Sequence, residues 1–227
     1  MARHGRGGRK RVLDVGCGAG ISSDGYDAYF DVTGLEINRE LKRHYPYEFI
    51  EGDALALTAD DLRAYDLVHL GGPCQPWSDM VNCRPGLREA YTDLILPLRP
   101  VLVESGVPYV IENVKNAPLV NPVWLCGLMF GYELYRHRGF EAGNGLVIPP
   151  LHHPEHVKPA SKAGHWVEGT VMSIAGHVAP IAMARELMAV TRRVPREALV
   201  EAAPSYMTAY VAAHAAAYLS REAALHG

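Results

Sequence analysis

Apolar positions along the chain gather into short runs that stop at glycine or at a turn residue. Residues 11–16 form the first run and close on Gly16, residues 31–37 (Asp-Val-Thr-Gly-Leu-Glu-Ile) form the second, and Phe49-Ile50 forms a short third ahead of Gly52-Asp53. Leu67-Val68-His69-Leu70 stops at Gly71-Gly72-Pro73, and Tyr109-Val110-Ile111 runs into Glu112-Asn113, so both read as buried strands. Between them, the segment from Tyr91 to Glu104 carries Leu94, Ile95, Leu98, Leu102 and Val103 near helical spacing, with Pro97 and Pro100 expected to bend or break it. Strand, helix and strand at this rhythm predict an α/β protein with a mostly parallel sheet and helices on both faces. Regularity fades after Phe140, where residues 143–169 are rich in Gly, Pro, His and Lys and predict an extended loop. The pattern returns in Met172-Ser173-Ile174-Ala175-Gly176-His177 and in helical stretches over residues 180–190 and 205–224, the latter alanine-rich.

Composition bounds this picture without changing it. A chain of 227 residues, 48 % hydrophobic and 21 % charged, suits one packed domain. A net charge of -3 and a pI near 6.4 do not by themselves mark a nucleic-acid binder. Arg3, Arg6, Arg9, Lys10 and Arg11, interleaved with glycines, form a basic start expected to be a flexible tail, either simply solvated or in contact with phosphate. No apolar stretch is long enough to cross a bilayer and the basic start lacks a signal-type apolar segment, so a cytoplasmic location is expected, with no membrane partner. Cys17, Cys74, Cys83 and Cys126 lie far apart without paired metal spacing, which predicts free thiols.

Candidate chemistry lies where the runs end. Cys74, in Gly71-Gly72-Pro73-Cys74-Gln75-Pro76-Trp77-Ser78, and Glu112 place a nucleophile and an acid at two strand carboxyl ends, where open α/β sheets carry their sites. Gly16-Cys17-Gly18-Ala19-Gly20 follows a strand and is expected to precede a helix, so a ligand could approach the backbone at that helix N-terminus. Glu36, closing the second strand, is in position for ribose hydroxyls, and Asp53, after the third, for an adenine amino group; both could instead be capping or solvated acids. His152, His153, His156 and His165 show no tight ligand pattern, so a solvated or phosphate-contacting loop is expected there and no metal.

Pro73-Cys74-Gln75 followed by Glu112-Asn113-Val114 resembles the two central motifs of the cytosine carbon-5 methyltransferases, which use S-adenosylmethionine. Val12–Gly20 resembles their cofactor loop, Arg136-His137-Arg138-Gly139-Phe140 their arginine-rich motif and Ala203-Pro204-Ser205-Tyr206 their closing motif, so the resemblance spans almost the whole chain. It implies a Rossmann-like class I methyltransferase fold: a basic tail over 1–10, a catalytic and cofactor-binding core over 11–142, a reduced target-recognition region over 143–170 and a completing C-terminal part over 171–227.

The resemblance also implies roles. Cys74 would add to carbon-6 of cytosine, Glu112 would share a proton with ring nitrogen 3, and Arg138 would hold the ring carbonyl. Arg136 would support the cofactor side or pair with an acid, Asn113 would orient its loop, and Gln75 and Ser78 would position Cys74 or the substrate backbone. Asp14, Gly16, Cys17, Gly18, Gly20, Glu36, Ile37, Asp53, Ala54, Gly72, Pro73 and Ser205 would bind the cofactor. The stretch from Trp77 to Arg88, with Asn82, Arg84 and Arg88, would close over a base flipped out of duplex DNA. The chain departs from the family at Gly16, where relatives carry an aromatic residue near the cofactor; a different aromatic would have to substitute.

Relatives that read a defined sequence insert a sizeable recognition domain before the closing motifs, and this chain has only about thirty residues there. The compact arrangement is similar to small methyltransferases encoded by bacteriophages, which implies a monomer acting on DNA in a bacterial or phage-infected cell with short or relaxed sequence context. Two alternatives stay open: the same chemistry on a transfer RNA or a free cytidine nucleotide, and a non-catalytic binder of nucleic acid or cofactor.

Overall fold

The apolar runs become strands. In the computed structural model, which describes residues 8–78, 91–156, 171–174 and 180–226, they are β1 (Arg11–Val15), β2 (Asp31–Glu36), β3 (Glu48–Glu51), β4 (Leu67–Gly71) and β5 (Tyr109–Asn113), and two strands that no run marked, β6 (Val123–Cys126) and β7 (His137–Gly143), join them. They form one seven-stranded sheet in the order β3-β2-β1-β4-β5-β7-β6. β1 to β5 run parallel, β7 is antiparallel to β5, and β6 is antiparallel to β7. The chain leaves β1 toward β2 and later returns to its other side as β4, which opens a crevice at the carboxyl ends of these strands.

Alternation along the strands divides the core. Leu13, Val15, Val68, Leu70, Tyr109 and Ile111 pack on one face against Leu62 of α1 (Ala59–Leu62) and Ile95, Leu98 and Leu102 of α2 (Ile95–Ser105). Val12, Leu67 and Val110 pack on the other face against Met207, Val211 and Ala215, from the helix that begins at Ser205. Two residues beyond each of these last three come Asp14, His69 and Glu112, which are 1 %, 0 % and 5 % exposed. The strand period therefore buries a row of polar groups directly behind the crevice.

α2 starts where Asp93 accepts hydrogen bonds from the Ile95 and Leu96 amides (2.8 and 3.3 Å) and ends at Gly106 in the left-handed region. Pro97 falls in its first turn, where no intrahelical donor is lost, and Pro100 is accommodated inside it, so neither proline breaks the helix. The expected helix after the glycine loop is absent: β1 and β2 are joined through a short 3-10 turn, Ser23–Gly25. Three further helices complete the chain: α3 (Ile181–Leu187), α4 (Arg196–Glu201) and α5 (Ser205–His226). α5 takes the layer that a crossover helix would fill, and Gly25 permits it, because a Cβ there would lie 2.1 Å from the Thr208 hydroxyl and 2.4 Å from the Ser205 carbonyl.

Part of the basic start is docked rather than loose. Arg9 donates to the Phe30 carbonyl (3.0 Å) and Lys10 pairs with Asp66 (3.1 Å), while Arg3 and Arg6 lie outside the described residues. No described helix is long and apolar enough to cross a membrane.

α2 is tied to β7 by a two-pronged ion pair: Arg99 Nε and Nη2 each donate to a Glu141 carboxylate oxygen at 2.8 Å, and Glu141 also accepts the Val120 amide at 2.7 Å. Glu141 is 2 % exposed, so Arg99→Ala leaves a buried anion without its cation. We expect a loss of about 3 kcal/mol and, for a domain of this size, a fall in Tm of roughly 6–12 °C by scanning calorimetry. An Arg99→Met/Glu141→Leu pair should recover most of it, since no charge is then stranded.

Candidate active site

A cavity of about 590 Å³ opens at the carboxyl ends of β1, β2, β4 and β5. Gly16, Cys17, Gly18, Glu36, Ile37, Asp53 and Ala54 line one end; Gly72, Pro73, Cys74, Gln75 and Glu112 line the other. Asp14 and His69 form part of the wall, and Tyr91, Thr92, Pro195, Glu197, Ala198 and Glu201 close it from segments far along the chain. The carboxyl ends of adjacent strands thus bring two expected groups, cofactor-side and catalytic, into one space.

Gly16 explains its own departure from the family pattern. It holds φ at +73°, and a Cβ would stand 2.3 Å from the Gly71 carbonyl oxygen of the neighbouring strand, so no side chain fits. Tyr91 supplies the one phenol or indole ring on the cavity wall among the described residues. With no α-helix after the loop, polar contact falls to side chains. Glu36 accepts the Gly18 amide on one carboxylate oxygen (3.1 Å) and the Asn38 amide on the other (3.0 Å), and each oxygen keeps a further lone pair. Ile37 stands beside it, 70 % exposed. Asp53 also serves as a cap, its Oδ1 accepting the Leu55 amide at 2.9 Å.

At the other end, Cys74 lies three residues past β4 and begins the 3-10 turn Gln75–Trp77. Burial pushes its thiol up; Arg138 and Arg136 pull it down, and Glu112 and Glu201 push it up again. Glu112 is raised first by burial, against the opposing pull of Arg138 and His69. Arg138 Nε stands 2.9 Å from Glu112 Oε1 in a pair whose side chains are 8 % and 7 % exposed. That oxygen nevertheless accepts no aligned hydrogen bond among the described residues, which leaves it available to a proton. Cys17 differs from Cys74 in kind: it is pushed far up by burial, then by Asp14 and Glu36, and is an inert wall.

The loops around Cys74 are held from two sides. Asn113 donates to the Gly72 carbonyl at 3.4 Å and accepts the Val114 amide at 2.8 Å. Gln75 Nε2 donates to Glu201 Oε1 at 2.8 Å, and the Glu201 carbonyl accepts from Arg138 at 3.3 Å, so the last residue of α4 touches both. Behind the wall, Asp14 accepts from Ser23 on one oxygen and sits 3.1 Å from His69 Nδ1 on the other, while His69 Nε2 has no partner among the described residues.

Some expected residues stand elsewhere. Arg136 is buried behind the cavity, donating to the carbonyls of Ala202 (3.0 and 2.6 Å), Val200 (2.5 Å) and Ile174 (3.0 Å). Its guanidinium is a clamp on the end of α4, pulled down to about 9 by burial and by Arg138, and it does not itself line the cavity, although it holds the carbonyl of Ala202, which does. Ser205 opens α5 behind Gly25 and does not line the cavity, nor does Ser78. Asn82, Arg84, Arg88 and His165 lie outside the described residues.

Sequence reasoning missed α4 with Glu201, and Arg192, which donates to the Ala19 carbonyl of the glycine loop and to Asp24. Pro195 followed by Glu197 was a readable helix start. Arg192 had no local signal. The histidines also differ from the expected solvated loop, since His153 and His156 meet Cys126 and His137.

No protein-family model and no curated protein matches this chain. Solved structures do. The methyltransferase EhMeth of Entamoeba histolytica superposes with a TM-score of 0.60 over 93 % of this chain and 99 % of its own, at 11 % identity. The Dnmt2 methyltransferase of S. pombe gives 0.45 at 20 % identity over 59 % of this chain, which spans about half (49 %) of that one. At such identity the likeness is one of architecture, and it agrees with the strand order: the chain has a Rossmann-like α/β fold, the architecture it shares with EhMeth.

Proposed function

We propose that this protein is an S-adenosylmethionine-dependent methyltransferase that modifies carbon-5 of cytosine in DNA through a covalent Cys74 adduct. The observation that carries the reading is the convergence of Cys74, Glu112 and a glycine loop backed by Glu36 on one cavity. The residues suit the cofactor: Glu36 retains lone pairs for two ribose hydroxyls, Ile37 and Ala54 offer apolar contact to a purine, and the loop leaves room beside Gly18. When bound, the cofactor supplies an electrophilic methyl group for carbon-5.

The chain's own residues prepare the base for it. Carbon-5 of cytosine is a poor nucleophile, so the Cys74 sulfur bonds to carbon-6 and the ring electrons shift toward carbon-5 as an enamine. Glu112, whose carboxyl burial shifts toward the protonated form, shares a proton with ring nitrogen 3 as negative charge moves there. Arg138 is the nearest cation to Glu112 and balances the carboxylate when that proton has moved. After methylation a base removes the carbon-5 proton, the carbon–sulfur bond breaks and Cys74 leaves as thiolate. A paired cytosine offers neither face to both reactants, so a duplex substrate requires base flipping.

The test is to express the chain in a bacterium lacking cytosine methylation and map 5-methylcytosine by conversion sequencing, with Cys74→Ala alongside. Methylation at a short context that disappears in Cys74→Ala is the expected result. Cys74-dependent 5-methylcytidine in RNA with unmodified DNA would move the substrate to RNA. Unmodified DNA, RNA and nucleotides, from protein that binds the cofactor, would overturn the reading.

A further inference from the structure

Outside the cavity lining, at the start of β7, the fold gathers four metal-binding side chains from three separate segments. Cys126 closes β6, His137 opens β7, and His153 and His156 come from the irregular stretch that follows β7; one ligand atom of each lies within 4.8 Å of all the others. Their spacing suits a single tetrahedral ion. With Zn–N near 2.0–2.1 Å and Zn–S near 2.3 Å, tetrahedral ligand atoms stand roughly 3.3–3.6 Å apart. Here His137 Nε2 and His153 Nε2 are 2.9 Å apart, and Cys126 Sγ and His156 Nε2 are 3.8 Å apart, on either side of that range. Imidazole centroids around such an ion would be about 5 Å apart by the same bond lengths. The three observed separations are 5.1, 5.2 and 4.6 Å.

The surroundings prepare these groups as ligands. His156 Nδ1 sits 2.9 Å from the Pro154 carbonyl, so it carries the proton and leaves the Nε2 lone pair toward Cys126, the outer hydrogen bond that fixes the tautomer of a metal-bound histidine. Tyr135 packs edge-on against His137 and His156 and shields them on one side.

We propose that Cys126, His137, His153 and His156 bind one zinc ion in a closed structural site. One thiolate and three imidazoles match zinc in softness and number, and four protein ligands leave no open position for catalysis. The ion would tie the stretch after β7, which leads toward the short region between the arginine-rich and closing motifs, to the β6–β7 hairpin. His137 is the residue before Arg138, so the tie ends next to the cation that faces Glu112.

The test uses the full chain without a metal-affinity tag, expressed with zinc in the medium. Plasma mass spectrometry should find about one zinc per chain. His153→Ala, an exposed position that does not threaten folding, and Cys126→Ser should each reduce this at least tenfold, while His152→Ala, next in sequence but outside the cluster, should keep it. Cobalt(II) should replace zinc with a thiolate-to-metal charge-transfer band that Cys126→Ser lacks, and chelation should lower the Tm of the wild-type chain but not of His153→Ala. If the folded protein holds no metal and takes up no added zinc or cobalt, or if a His153→Ala/His156→Ala double variant keeps the full complement, the site is refuted and the contacts are hydrogen bonds among these side chains alone.

Discussion

Cys74→Ala should lower methyl transfer by roughly four or more orders of magnitude, the scale seen when an enzyme loses its nucleophile, while cofactor affinity stays within a few-fold. The separation follows from the geometry. Cys74 sits at the base end of the cavity, and the groups suited to the cofactor, Glu36, Ile37 and Gly18, sit at the other. Calorimetry with S-adenosylmethionine checks the second half of the statement and a labelled-methyl assay the first. Retained turnover in this variant would remove the covalent mechanism.

The thiol's environment adds a pH signature. Burial is the largest influence and holds Cys74 above the ordinary cysteine value despite Arg138 and Arg136. Its thiolate fraction is therefore small at neutral pH and grows as pH rises, so alkylation by iodoacetamide should be slow at pH 7 and climb past the range of a free thiol. A flat or acid-shifted profile would mean that the arginines outweigh burial.

Glu112→Gln should lower the rate by roughly a hundred- to ten-thousand-fold, the usual contribution of a positioned general acid. Glutamine matches the shape but has no proton to share, so cofactor binding should be little changed. Because the Glu112 carboxylate is one of the groups that push Cys74 up, its removal should also shift the alkylation profile of Cys74 to lower pH. A faster-reacting thiol in a slower enzyme separates loss of the acid from general damage to the fold. If the variant instead mainly raised the KM for S-adenosylmethionine, the assignment of Glu112 to the base end would be wrong.

Much of this arrangement was legible in the chain. Short apolar runs that stop at a glycine or a polar residue marked β1, β2, β4 and β5 to within a residue or two, because a strand buried on both faces is apolar along its length. Cys74 and Glu112 were legible for the same local reason: Cys74 lies three residues past β4 and Glu112 is the last residue but one of β5, and parallel strands carry their carboxyl ends to one side.

Other features were decided only by packing between distant segments. Nothing near Gly20 forbids a helix; α5, from the far end of the chain, occupies its place, and Gly25 makes room for it. The arginine-rich motif looked like paired catalytic cations, but the carbonyls that hold Arg136 come from residues 174, 200 and 202, whose positions no local pattern encodes. Gln75 finds Glu201, and Cys126 finds His153 and His156, through loops without period. The sequence by itself therefore determined the five parallel strands and the reactive residues at their ends, since each depends on a few neighbouring positions. Which arginine pairs with Glu112, what closes the cavity and which histidines meet depended on contacts across long chain separations, and these exist only once the sheet has brought the segments together.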